Sequence, residues 1–265
     1  MVGGVILYVV NQLQLRWTLR LLAVVAPLAL VEGLLLLLVK GAIRRFDQQL
    51  LALLQAGKTE ALLPLYRQQG LLRFAAPRHY TRGKLGLIYA RLQRHAEAAD
   101  AYREALDSAP DAKRYPLTLG LANSLHAIGD DDAAEEAYRE AIDEDHVNVQ
   151  ASVKLSGLIR ARAGDLAEAE RYLRTAVDAG RDGKLRCELA LLLLERGQAE
   201  EAAWQHSLAA EELAKDEGSG AALEQVRAAL REAGVDPDAP AAPPAAADAS
   251  EQAPSPAEAE AGEPP

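Results

Sequence analysis

Cysteine is almost missing from this chain: Cys187 is the only one in 265 residues. That excludes an intrachain disulfide and any cysteine-built zinc site, so packing alone must hold the fold together. Aromatic residues are scarce as well, at 5 %, which suits a core of small and aliphatic side chains on helices rather than a sheet-built one. Cations are outnumbered, with a net charge of −10, and without a basic excess nucleic acid is not an expected partner. The motifs of common chemistry are absent too: no Walker loop, HExxH helix or GxSxG elbow occurs. The five histidines, His79, His95, His126, His146 and His206, are scattered, and no two share a helical face at metal-ligand spacing. No catalytic residue, metal or cofactor is therefore expected, and the chain reads as a non-enzyme.

The charge is unevenly placed. The last 31 residues carry Asp236, Asp238, Asp248, Glu251, Glu258, Glu260 and Glu263 and no Lys or Arg, so they hold −7 and leave −3 for the remainder. The same stretch holds eight of the 13 prolines and no aromatic residue. Such a composition buries too little apolar surface to order itself, so residues 235–265 are expected to be a disordered acidic tail.

Against these absences stands one long hydrophobic run. Residues 21–39, LLAVVAPLALVEGLLLLLV, contain a single charge, Glu32. At ~1.5 Å per residue the run spans about 28 Å, close to the ~30 Å of a hydrocarbon core. Arg16, Trp17 and Arg20 precede it, and Lys40, Arg44 and Arg45 follow it, as flanks a membrane helix. Residues 1–41 are thus read as a membrane anchor. The apolar stretch 2–10, VGGVILYVV, is too short to span by itself. It reads either as part of a second span, making a two-helix hairpin, or as an interfacial segment. The cation count across the span favours a cytoplasmic location for the residues C-terminal to it.

The rest of the chain repeats. Residues 79–112 carry Leu85, Gly86, Tyr89, Ala98, Tyr102, Ala105 and Pro110. Ala98, Tyr102 and Ala105 share one helical face at i, i+4, i+7, and Pro110 is expected to end the second helix. The turn and second-helix positions recur as Gly129, Ala134, Tyr138 and Ala141, then Gly164, Ala169, Leu173 and Ala176, then Gly197, Ala202, His206 and Ala209. Each glycine falls between two helices, where a left-handed backbone is expected. On these residues the chain resembles the tetratricopeptide repeat, a helical hairpin of about 34 residues. The fold class is then all-α: an N-terminal transmembrane helix, an α-solenoid of helical hairpins, a capping helix and the tail. Residues 42–78 read as a degenerate first hairpin and connector, 79–218 as four repeats, and 219–234 as the cap that covers the last apolar face.

What the resemblance implies is a groove lined by the first helix of each repeat, taking a protein or peptide partner. Carried over by position, its lining is Tyr80, Leu87, Arg91, Leu119, Asn123, His126, Lys154, Leu158, Arg162, Lys184, Cys187 and Leu191. Lys154, Arg162 and Lys184 favour an acidic ligand. The Lys/Asn carboxylate clamp of chaperone-binding members is not reproduced, since Leu158 stands where that clamp needs Asn. The chain as a whole resembles bacterial inner-membrane scaffolds of this repeat class, without the C-terminal CxxC metal module of the lipopolysaccharide-assembly group. It also resembles cytochrome c maturation proteins whose repeats lie on the outer side of the membrane. An enzyme without a recognisable motif is the third alternative.

Overall fold

The structure, a computed structural model, describes residues 2–144, 149–162, 164–214 and 220–241, with side chains from Val25 onward. Among these residues it is all α-helix apart from turns and one short 3-10 helix. The expected disordered tail lies, from residue 242, outside the described residues. The chain divides into two compact units, residues 1–137 and 138–265.

The first unit begins with α1, a single helix over Val2–Gln55. It passes through residues 2–10 and 21–39 without a break, which corrects the two-helix hairpin. Residues 11–20, NQLQLRWTLR, contain no Gly or Pro to reverse the chain. Pro27 lies inside the helix and removes one backbone donor without ending it. The side chains from Val25 to Leu38 face outward, with the large ones between 48 % (Leu35) and 74 % (Leu30) exposed. Packing begins at Val39 and continues through Phe46 and Leu50, all buried. The distal end of α1 is therefore also the first helix of the degenerate hairpin, with no linker between anchor and repeats.

Gly57, at φ +66°, turns the chain. A 3-10 turn at Thr59–Ala61 and α2 (Leu62–Gln68) then return along α1. The edge of the Tyr66 ring meets Phe46, with centroids 6.2 Å apart. Residues 70–78, expected to be a connector, contain a further short helix, α3 (Gly70–Ala75), which packs on α1 and buries Leu72 completely. Next come α4 (Arg78–Arg91), α5 (His95–Leu106) and α6 (Asp111–Ile128), then the start of α7 (Asp131–Glu144).

Small residues set how closely these helices approach. A Cβ on Gly86 of α4 would lie 3.0 Å from the Tyr102 ring, and one on Gly120 of α6 would lie 2.5 Å from its Cζ. The ring of Tyr102, on α5, is thus held between two backbones. Its burial pushes the phenol up to about 12, Arg91 opposing, so it stays neutral at physiological pH. Pro110 does not terminate α5, which ends at Leu106; it is the residue that caps the entry to α6. Its fixed φ suits that extended cap position and leaves no donor to satisfy there.

The left-handed turn is kept at Gly129 (φ +82°) and Gly197 (φ +76°), whereas Gln93 adopts φ +60° with a side chain. Gly164 departs from the expectation: it is not left-handed. Its small size matters instead, since a Cβ there would sit 3.1 Å from the carbonyl oxygen of Ile159.

The second unit contains α8 (Val149–Ala161), α9 (Leu166–Gly180), α10 (Gly183–Glu195), α11 (Ala199–Leu213) and α12 (Gly220–Glu232). Asp165 and Asp182 cap α9 and α10 by accepting bonds from the backbone N–H of Ala167 (2.8 Å) and Lys184 (2.9 Å). Helices α8 to α11 pack in sequence, and α12 closes against α10 and α11, burying Val226 and Leu230 completely. That is the role expected of the capping helix.

His206 of α11 is core, as its repeat position implies: it is 2 % exposed and neither ring nitrogen has a hydrogen-bond partner. Burial, reinforced by Arg227, holds its pKa below the usual value, against the opposing influence of Asp238 and Glu224. The folded state therefore keeps the ring neutral, while the unfolded chain takes up a proton below about pH 6.5. Stability should be complete above that pH and fall as the pH drops below it, because the unfolded state then binds more protons. Thermal midpoints measured down to pH 5 should decline, and His206→Leu should flatten that decline. An unchanged slope in the variant would count against this assignment.

Candidate partner-binding site

In the first unit the distal part of α1, with α4 and α6, supplies the first helices of successive hairpins, and α4 packs beside α6. Asp47 of α1 accepts a hydrogen bond from the Tyr80 hydroxyl (2.9 Å) and pairs with Lys84 Nζ (2.8 Å). That ammonium also lies over the Tyr80 ring, 5.4 Å from its centroid. Burial, then the Asp47 bond, drives the Tyr80 phenol well above its ordinary range, so it remains a donor. Leu87 is half-buried and Arg91 exposed. On α6, Leu119 is buried, at 8 % exposed, whereas Asn123 is half-buried and His126 exposed. His126 Nδ1 lies 3.0 Å from Asp131 Oδ1.

Sequence reasoning missed Asp47 and Lys84. The signal was present: Phe46 precedes Arg82 by the same 36 residues that separate Gly57 from Gln93 (82 − 46 and 93 − 57). That register puts Asp47 on a first helix, next to the aromatic position of the repeat.

In the second unit Lys154, Arg162 and Lys184 are exposed and Leu191 is half-buried. Leu158 and Cys187 are not surface: they are 3 % and 2 % exposed and pack in the core. Burial, then Asp182 and Glu188, pushes the Cys187 thiol up, leaving it a neutral packing group. Three of the twelve positions, Leu119, Leu158 and Cys187, thus belong to the core, because one helical stripe cannot face both a ligand and its neighbouring helix.

A denser polar cluster lies on the second helices. Glu170, with its side chain 9 % exposed, pairs with Arg174 (2.6 Å) and Arg196. Arg174 reaches on to Glu201 (2.7 Å). These carboxylates and guanidiniums balance, so the cluster ties α9 to α11 and presents no net charge to a ligand. Among the described residues no group of His, Cys, Asp and Glu is placed to hold a metal ion.

Residues 81–112 and 119–145 match the tetratricopeptide repeat family. No curated protein matches the sequence. Among solved structures the chain is similar to PilF of Pseudomonas aeruginosa, at 20 % identity over 74 % of this chain and 90 % of that one, with a TM-score of 0.57. It is similar to MamA of Desulfovibrio magneticus RS-1, at 13 % identity over 67 % and 98 %, TM-score 0.55. It is also similar to YrrB, described as a repeat protein of this kind with an unusual peptide-binding site, at 15 % identity over 69 % and 90 %, TM-score 0.52. The chain is thus a tetratricopeptide-repeat protein, and these structures share its fold.

Proposed function

We propose that this is a membrane-tethered, non-enzymatic scaffold that recruits protein or peptide partners through the surface of its first helices. In this reading residues 21–39 cross a bacterial inner membrane. Residues 79–218 form four repeats on the cytoplasmic side, and residues 219–234 close the array. The carrying observation is the continuity of α1: an outward-facing apolar segment runs directly into the packed repeats, so a partner held by the repeats is held at the bilayer. The exposed cations Lys154, Arg162 and Lys184 favour an acidic segment as ligand, and YrrB, which shares the fold, has a peptide-binding site.

The test is site-specific photo-crosslinking in intact membranes. A photoreactive residue replacing Leu87 or Leu191, both half-buried on first helices, should capture a protein partner. The same residue replacing Thr175, exposed on the second helix α9, should not. Capture at residue 175 with none at 87 and 191 would overturn the choice of surface.

A further inference from the structure

We propose that α3 is a second contact with the bilayer, docking the base of the first unit onto anionic phospholipid headgroups beside the point where α1 emerges. The inference rests on the reading of residues 21–39 as a span. Phe74 is 92 % exposed and Leu71 47 %. They lie three residues apart, on one face of α3, while Leu72 is fully buried against the unit. A single exposed apolar side chain is ordinary; here the fold holds two of them together on a helix anchored by its other face.

The position of α3 gives that face its partner. Helix α2 runs back along α1 and sets Tyr66 against Phe46. Helix α3 continues the return and also packs on α1. Val39 is buried, at 7 % exposed, although its neighbours along the helix, Leu36 to Leu38, are all more than half exposed. The packed unit therefore reaches the last residue of the apolar run. A surface at that level meets the headgroup region of any bilayer the run crosses. The charges agree: Lys40, Arg44 and Arg45 are exposed on α1 and make no ion pair among the described residues. Arg67 and Arg73 add two more on α2 and α3. Cations placed there attract acidic headgroups, while an aromatic and a leucine enter the acyl boundary. Two contacts, one through the bilayer and one on it, would fix the angle at which the repeats stand.

The test uses the full chain in nanodiscs of phosphatidylcholine and phosphatidylglycerol. Nitroxide labels are placed one at a time by Phe74→Cys, Leu30→Cys and Lys58→Cys, each with Cys187→Ser. Depth is read by electron paramagnetic resonance as relative accessibility to oxygen and to a water-soluble nickel complex. Position 30 should be deep. Position 74 should be shallow but favour oxygen. Position 58, past the far end of α1, should favour nickel. A nickel-accessible label at 74 with a deep label at 30 would overturn this inference and leave the span standing. A label at 74 shielded from both reagents would mean that protein covers it, which also overturns it. A nickel-accessible label at 30 would remove the span, and this contact with it.

Discussion

A chain beginning at Lys40 is expected in the soluble fraction, folded, whereas the full chain is expected to stay with membranes through alkaline carbonate extraction. The reason is where burial begins. From Val25 to Leu38 nine large apolar side chains are exposed, each by about half or more. Fully burying a side chain of this kind contributes ~1.5–3 kcal/mol, so transferring the set into lipid is worth on the order of 10 kcal/mol. None of that surface is needed by the repeats, because Phe46, Leu50, Leu62, Tyr66 and Leu72 form a core beyond it. Truncation at Leu51 should behave differently. It removes Phe46 and Leu50 and leaves Tyr66 and Leu72 without their neighbours, so the first hairpin should unfold. Fractionation of the three chains, with circular dichroism of those that are soluble, is the measurement. Full-length chain in the soluble fraction would defeat the membrane reading.

Much of this architecture was legible because repeats write the same packing rule several times. Gly86, Ala98 and Tyr102 could be read as one contact from their spacing alone, and Tyr102 does lie against Gly86. His206 could be assigned to the core from its place in the register. Boundaries were harder. Nothing in a 54-residue helix marks where its lipid-facing part ends and its packed part begins, since leucine serves both; only the aromatic Phe46 and the charge of Asp47 signal the change. Gln93 shows the limit of reading turns from glycine, since a side chain is tolerated at φ +60° when the flanking helices fix the geometry. The groove was the least legible part. Whether a first-helix leucine faces ligand or neighbour depends on the rotation of that helix about its axis. Leu87 and Leu191 are half-buried while Leu119 and Leu158 are core, and no periodicity in the sequence separates them.

Gly120→Ala is expected to destabilise the repeats, although alanine is the better helix former. In a helix interior that replacement by itself should gain ~0.5–1 kcal/mol. Here the added Cβ would lie 2.5 Å from Cζ and 2.7 Å from Cε1 of Tyr102, well inside contact distance. The ring cannot retreat, because Gly86 meets its other side, and Tyr102 is only 6 % exposed. Overpacking of this kind costs ~1–3 kcal/mol, which exceeds the propensity gain, so the net change should be a loss of roughly 1–2 kcal/mol. Gly157→Ala on α8 is the opposite case: nothing lies within 4 Å of the new Cβ, and the propensity term alone predicts a gain. A cycle with Tyr102→Leu separates the two terms. That replacement is itself costly, since it empties part of a buried site, but it removes the ring that the added Cβ would strike. In its background Gly120→Ala should be neutral or stabilising, with a coupling energy of ~1–3 kcal/mol between the two positions. Urea unfolding of the soluble chain, followed by circular dichroism, measures all four corners. Equal effects of Gly120→Ala with and without the tyrosine would show that the ring is not what fixes the spacing of α4, α5 and α6.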